Sequence, residues 1–91
     1  MLKLKHNVNV EELTALGFAK FKVNREQTNY YFAVRRGWHA VIVDSRSRMV
    51  AIDNITPGDN RLHANIKWQN KEATVEDGIY LLTDAGMVER E

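Results

Sequence analysis

One stretch near the middle of the chain would be apolar on both faces if it formed a β-strand. In residues 38–44, Val41 and Val43 alternate with Ala40 and Ile42, so an extended chain presents hydrophobic side chains to both faces of a sheet. A strand of this kind is usually central in its sheet and covered twice. The pattern predicts helices on one face, and a partner or a second chain on the other.

Further strand-like runs flank this stretch. Residues 18–23, 30–35 and 49–53 have strand character, and short polar loops separate the successive runs. Short loops favour antiparallel neighbours, so the four runs predict a meander. Residues 62–68 alternate apolar and polar side chains and predict a fifth strand.

Two helices are predicted, one towards each end of the chain. Asn9 is a suitable N-cap for residues 10–16, and Gly17 supplies the left-handed residue that commonly ends a helix. Thr74 caps the second helix, and Gly86 ends it in the same way. The predicted fold class is therefore α+β, an antiparallel meander of four to five strands with an N-terminal and a C-terminal helix packed on one face. Residues 87–91 are predicted to form a tail or a short edge strand. The predicted core contains Leu13, Leu16, Phe21, Phe32, Val34, Val41, Val43, Val50, Ile52, Ile79 and Leu82.

Length and composition exclude several classes of protein. Ninety-one residues correspond to a single domain spanning 1–91. The chain has no cysteine, which rules out a disulfide scaffold, a zinc ribbon and a thiol nucleophile. Its longest apolar run, residues 40–43, is far shorter than the roughly 20 residues that span a membrane. We expect a soluble, cytoplasmic protein that does not contact a membrane.

No group of residues has the spacing of a catalytic or cofactor site. The histidines lack the helical i, i+4 spacing of a zinc protease, and the five glycines are isolated, so they form no phosphate-binding loop. Asp44, Asp53 and Asp59 stand near turns, but nothing in the sequence pairs two of them for acid–base chemistry. We expect no metal, no cofactor and no enzymatic activity.

Charge is distributed unevenly along the chain. Residues 1–48 hold nine Lys/Arg and four Asp/Glu, a net charge of +5, whereas residues 49–91 hold four and eight, a net of −4. Folding can interleave these charges over two solvated faces. The alternative is a dipolar protein with one basic surface.

The aromatic residues suggest the first of two functional hypotheses, a non-enzymatic interaction module. Aromatic side chains in excess of one small core often anchor a protein partner. Tyr31, Trp38 and Ile42 are the predicted partner-binding residues, and self-association as a homodimer is the simplest form of such a contact.

The second hypothesis is a nucleic-acid-binding domain. Lys20, Lys22 and Arg35 are predicted to share a solvated sheet face with Tyr31, and basic residues interleaved with aromatic ones bind single-stranded nucleic acids. Such binding weakens steeply as salt concentration rises.

The overall pattern resembles a group of known proteins. A capped helix ending in Leu16-Gly17-Phe18 leads to the aromatic strand Tyr30-Tyr31-Phe32, then to Asp44-Ser45-Arg46-Ser47-Arg48, and finally to Ala85-Gly86-Met87-Val88-Glu89. This arrangement is similar to that of small uncharacterised phage and prophage proteins of low-GC Gram-positive bacteria. The resemblance implies a cytoplasmic accessory protein and assigns no role to any residue.

Overall fold

The computed structural model describes residues 1–34, 39–55 and 72–90. The elements are β1 (Leu2–Leu4), a 3₁₀ helix (Val10–Leu16), β2 (Ala19–Lys22), β3 (Thr28–Val34), β4 (His39–Asp44), β5 (Val50–Asn54), α1 (Val75–Asp84) and β6 (Val88–Arg90). Strands β2 to β5 form an antiparallel sheet in sequence order, and β1 pairs with β6. The predicted α+β meander is confirmed for its four runs, and the predicted fifth strand, 62–68, lies outside the described residues.

The strand register divides the meander into two faces. Side chains of directly paired residues point the same way, so the pairs Phe32–Val41 and Tyr30–Val43 define what we call the first face. The pair Tyr31–Ile42 defines the second face. Both faces carry a hydrophobic cluster, and β4 is the strand that serves both. Its prediction as a central strand is confirmed, because it lies between β3 and β5 with both of its faces buried.

Helix α1 crosses the first face over β3 and β4. Thr74 accepts a hydrogen bond from the amide of Asp77, and the Asp77 carboxylate accepts one from the amide of Thr74, which is a capping box. Gly78 is one of the two buried residues of this helix, and it lies close to the sheet. A Cβ at this position would lie 2.8 Å from Phe32 Cδ1 and 3.0 Å from Val41 Cγ2. The glycine costs intrinsic helix stability, and in return the helix backbone approaches the sheet directly.

The first helix differs from the predicted one. It is a 3₁₀ helix, and it lies beside the edge strand β2, whereas α1 lies over β3 and β4. Asn9 caps it as predicted, accepting a hydrogen bond from the Glu11 amide at 3.0 Å. The Thr14 hydroxyl donates to the carbonyl of Glu11 at 2.9 Å, an i to i−3 bond that suits the tighter turn of a seven-residue helix.

Both helices end in the same way. The Phe18 amide donates to the carbonyl of Leu13 at 3.2 Å, and the Met87 amide donates to that of Leu82 at 3.1 Å. The intervening Gly17 and Gly86 have φ values of 102° and 69°. These are Schellman motifs, so the two similar sequences Leu13–Phe18 and Leu82–Met87 solve the same capping problem.

The two ends of the chain meet at a strand pair held by Arg48. The Leu4 amide donates to the carbonyl of Arg48 at 2.8 Å, which joins β1 to the turn before β5. The guanidinium of Arg48 donates to the carbonyl oxygens of Lys5, at 2.6 Å, and Val8. Arg48 has a φ of 64°, in the left-handed region that a non-glycine residue adopts at a cost. Residues 88–90, predicted as a tail or a short edge strand, are a strand.

Seven of the eleven residues predicted to form the core are buried, Leu16 and Ile79 are partly buried against the same cluster, and two differ in ways that matter for function. The predicted core residues that are buried are Leu13, Phe32, Val34, Val41, Val43, Val50 and Leu82. Phe21 was predicted to share their core but lies with the second-face cluster. Ile52 was predicted to be buried, and this prediction is wrong, because its side chain is 53% exposed. Its register partner Val41 lies beneath α1, while Ile52 sits one strand further out.

We predict that Gly78→Ala lowers the free energy of unfolding. Alanine favours a helix by about 1 kcal/mol, but overpacking against Phe32 and Val41 costs about 1–3 kcal/mol. Urea denaturation measures the difference. Asp84→Ala, an exposed position in the same helix, is the control and should leave stability unchanged or slightly raised. A Gly78→Ala protein more stable than the parent would contradict the close approach.

Arg48 allows its backbone and side-chain contributions to be separated. Arg48→Ala loses the hydrogen bonds to Lys5 and Val8 and keeps the left-handed strain, so we expect it to lower the free energy of unfolding by about 2 kcal/mol. Arg48→Gly loses the same hydrogen bonds but relieves the strain, and should be about 1 kcal/mol more stable than the alanine variant. Equal stabilities by chemical denaturation would show that the backbone conformation carries no cost.

Candidate interaction groove

The placement of α1 leaves an apolar groove between this helix and β5. The helix is centred on β3 and β4 through Gly78, so the first face of β5 is not fully covered beyond Val50. The groove has a volume of about 280 Å³. It is lined by Ile52, Val75, Glu76, Ile79, Tyr80 and Thr83.

Two exposed hydrophobic side chains from different elements line this groove. Ile52 on β5 is 53% exposed, and Tyr80 on α1 is 65% exposed. The two side chains project from different elements onto the same concave surface. Isolated exposed apolar residues are ordinary, but a pair that lines one groove is a candidate docking surface.

The helix side of the groove is acidic. Glu76, Asp77 and Asp84 are exposed, and residues 72–84 contain no Lys or Arg. Glu76 and Asp77 lie in the first turn of α1, where negative charge complements the helix dipole. Asp84 lies in the last turn, where the dipole disfavours it. Helix stability therefore does not account for the whole of this negative surface.

The residues predicted to bind a partner lie elsewhere. Tyr31 and Ile42 are cross-strand neighbours on the second face, where Tyr31 is 2% exposed and Ile42 is half-buried. The Tyr31 ring packs edge-on against Phe21, with 6.0 Å between the ring centroids. Trp38 lies outside the described residues. The structure thus brings Tyr31 and Ile42 together as members of a hydrophobic cluster.

The residues predicted to bind nucleic acid do not share one face. Lys20 pairs with Tyr30 and therefore projects from the first face, whereas Tyr31 projects from the second. Lys22 is on the same face as Lys20, two residues along β2, and is exposed. Arg35 lies outside the described residues. The period-two alternation of a strand separates the lysines from Tyr31, so their predicted shared surface is not formed.

Lys20 is also engaged by an acidic side chain. Its Nζ lies 2.8 Å from Glu11 Oε1, and this hydrogen bond lowers the pKa of Glu11 and raises the pKa of Lys20. The pKa of Tyr30, which interacts with the same carboxylate, is raised chiefly by burial of its phenol. The three side chains tie the 3₁₀ helix to β2 and β3. Arg46 likewise lies 3.7 Å from Glu26, so acidic groups interleave with part of the basic surface.

Sequence reasoning missed the groove for an identifiable reason. The sequence predicts Ile79, Leu82 and Ile52 as core residues, so none of them indicates a surface groove. Tyr80 follows Ile79 directly, so it widens the apolar stripe of α1 beyond the part that packs on the sheet. An apolar stripe on α1 that is wider than the part of the helix in contact with the sheet is the sequence signal that indicates this groove.

Within residues 1–34, 39–55 and 72–90, no cluster of three or more His, Cys, Asp or Glu side chains is placed to hold a metal ion. None of the helices in these ranges is both long and apolar enough to cross a membrane.

Comparisons of the chain with protein families, with curated proteins and with solved structures gave no match.

The contact between Glu11 and Lys20 predicts a specific pH dependence. Because the folded-state pKa of Glu11 is lowered, its stabilisation is present above the unfolded value of about 4.5 and is lost as pH falls through the folded value. Glu11→Gln should therefore be less stable than the parent at pH 7, and the difference should shrink as pH falls below 4.5. Urea denaturation across this pH range measures it.

Glu12→Gln is the matched control for this experiment. Glu12 is the exposed neighbour of Glu11 on the same short helix, and its substitution should change stability little at any pH. If both variants show the same pH profile, the interaction of Glu11 with Lys20 and Tyr30 contributes nothing specific.

Proposed function

We propose that this chain is a non-enzymatic interaction module that binds a positively charged segment of another protein in the groove between α1 and β5. The observation that carries the proposal is the pairing of Ile52 and Tyr80, two exposed hydrophobic residues that line one groove. Tyrosine is enriched among the residues that dominate the energy of protein interfaces.

The dimensions of the groove favour a side chain over a separate small molecule. Small-molecule sites usually enclose about 300–1,000 Å³ and bury most of the ligand. This groove, at about 280 Å³, lies just below that range and is partly open to solvent. It suits one bulky side chain of a partner, with neighbouring residues of the partner resting on its rim.

Charge distinguishes another protein from a second copy of this chain. In a two-fold dimer the same patch meets itself, so Glu76 and Asp84 of each copy would approach the acidic residues of the other. Like charges brought together in an interface cost binding energy. A segment carrying Lys or Arg instead gains from the same residues, and for that reason the proposal commits to a different, basic partner.

The nucleic-acid hypothesis has less support from the described residues. Phosphates would be repelled by the acidic surface of α1, and Lys20 is paired with Glu11. Lys22 on β2 and Arg46 in the turn between β4 and β5 are exposed. Nucleic-acid binding is therefore the alternative function that the experiment below distinguishes.

The test compares a groove variant with a charged-surface control. Tyr80→Ala removes an exposed side chain, so folding should be preserved while capture of a partner from a host lysate falls. The captured protein, once purified, should bind the Tyr80→Ala protein at least tenfold more weakly by calorimetry, because anchoring tyrosines are worth more than about 1.4 kcal/mol. Lys22→Ala should bind as the parent does.

Three results would contradict the proposal. One is a partner whose affinity is unaffected by Tyr80→Ala. Another is material that is released by nuclease and lost in Lys22→Ala, which would establish nucleic-acid binding. The last is a concentration-dependent dimer in sedimentation equilibrium that Tyr80→Ala dissociates, which would show that the groove binds a second copy.

A further inference from the structure

We propose that the side chain received by this groove is an arginine, with its stem on the apolar floor and its guanidinium between Glu76 and the ring of Tyr80. The inference rests on the proposed function and specifies the chemistry of recognition at that same site. It follows from the position of Glu76, which is the one charged residue among the described residues that line an otherwise largely apolar groove.

Glu76 and Tyr80 are placed to act on one group. They are four residues apart on α1, so they are neighbours on the helix surface, with about 5–6 Å between their Cβ atoms. Both line the groove. A cation at this position is therefore within reach of a carboxylate and of an aromatic face, two groups that attract it independently.

The carboxylate of Glu76 is available for such a partner. The ion pairs that join two described residues are Lys20–Glu11 and Arg46–Glu26, and neither includes Glu76. A wholly apolar anchor, such as leucine or phenylalanine, would cover the groove and desolvate this carboxylate without compensation. An anchor that ends in a cation avoids that penalty.

Arginine fits the groove better than lysine. Its three-carbon stem can lie on Ile79 and Val75, while its charged end stays at the rim beside Glu76. The guanidinium is planar, stacks on aromatic rings and is more weakly hydrated than an ammonium group. The apolar residues of the groove thus match the stem of an arginine, the ring of Tyr80 matches its planar guanidinium, and the carboxylate of Glu76 matches its charge.

The rest of the acidic surface supports the same partner at longer range. Asp77 and Asp84 lie on the same helix outside the groove lining, and the described segment 72–84 contains no Lys or Arg. Such a surface attracts a basic segment and speeds its encounter, an effect that salt screens. Glu76 differs from these residues because it lines the groove itself.

The probe is a pair of blocked pentapeptides that differ in one charge. Acetyl-Gly-Ala-Arg-Ala-Gly-amide is titrated into the 15N-labelled protein at low salt, beside the peptide in which citrulline, a neutral isostere, replaces arginine. Amide shifts should be confined to residues 52 and 75–83. The arginine peptide should bind at least threefold more tightly than the citrulline peptide, with both affinities in the millimolar range expected of one side chain.

Two variants distinguish direct contact of the arginine with Glu76 from attraction by the overall negative charge of the helix. Glu76→Gln should abolish the preference for arginine over citrulline. Asp84→Asn makes the same change of charge outside the groove and should retain most of that preference. Tyr80→Leu keeps an apolar side chain but removes the ring, and should reduce the affinity for the arginine peptide about twofold or more.

The inference is overturned if the arginine and citrulline peptides bind equally, if Asp84→Asn acts as strongly as Glu76→Gln, or if no shift occurs near the groove. An acetyl-Gly-Ala-Leu-Ala-Gly-amide peptide that binds the groove as tightly as the arginine peptide would also overturn it. In that case the groove would still be a docking site, because the Tyr80→Ala experiment with the captured partner tests the proposed function separately.

Discussion

The close approach of α1 to the sheet at Gly78 determines which part of the first face is buried and which part stays exposed. With no side chain at this position, the helix backbone rests on Phe32 and Val41, and these two residues belong to the central strand pair of the meander. The helix is thereby centred over β3 and β4. The same contact that closes the core over these strands leaves Ile52 at its margin, so the groove is a direct result of where the helix is held.

The parts of the fold that depend on local chemistry could be predicted from the sequence. Strand-forming runs separated by short polar loops predict the four meander strands, Asn9 and Thr74 predict the helix starts, and Gly17 and Gly86 predict the helix ends, because each of these signals acts within a few residues. Two features depended on packing between distant elements. The exposure of Ile52 follows from the lateral position of α1, and the pairing of β1 with β6 joins the two ends of the chain. No local pattern specifies either one.

The candidate site was harder to predict than the fold because its residues have ordinary roles when considered singly. Glu76 looks like a dipole-compensating residue, Ile52 like core, and Tyr80 like an extension of an apolar stripe. Only their common position on one concave surface suggests binding. The basic residues gave the opposite error. The sequence predicts Lys20 and Tyr31 on one face of the sheet. The alternation of side chains along the strands places them on opposite faces, and Glu11 forms an ion pair with Lys20.

The pairing of the two ends of the chain has a mechanical consequence. Leu2 lies opposite Arg90 and Leu4 opposite Val88, so Leu2 and Arg90 stand at the same end of the strand pair. The inter-strand hydrogen bonds of an antiparallel pair run across the strands. A force that pulls Leu2 and Arg90 apart therefore loads these bonds one after another and peels the strands, whereas a force applied at opposite ends of the two strands would load all of them in shear.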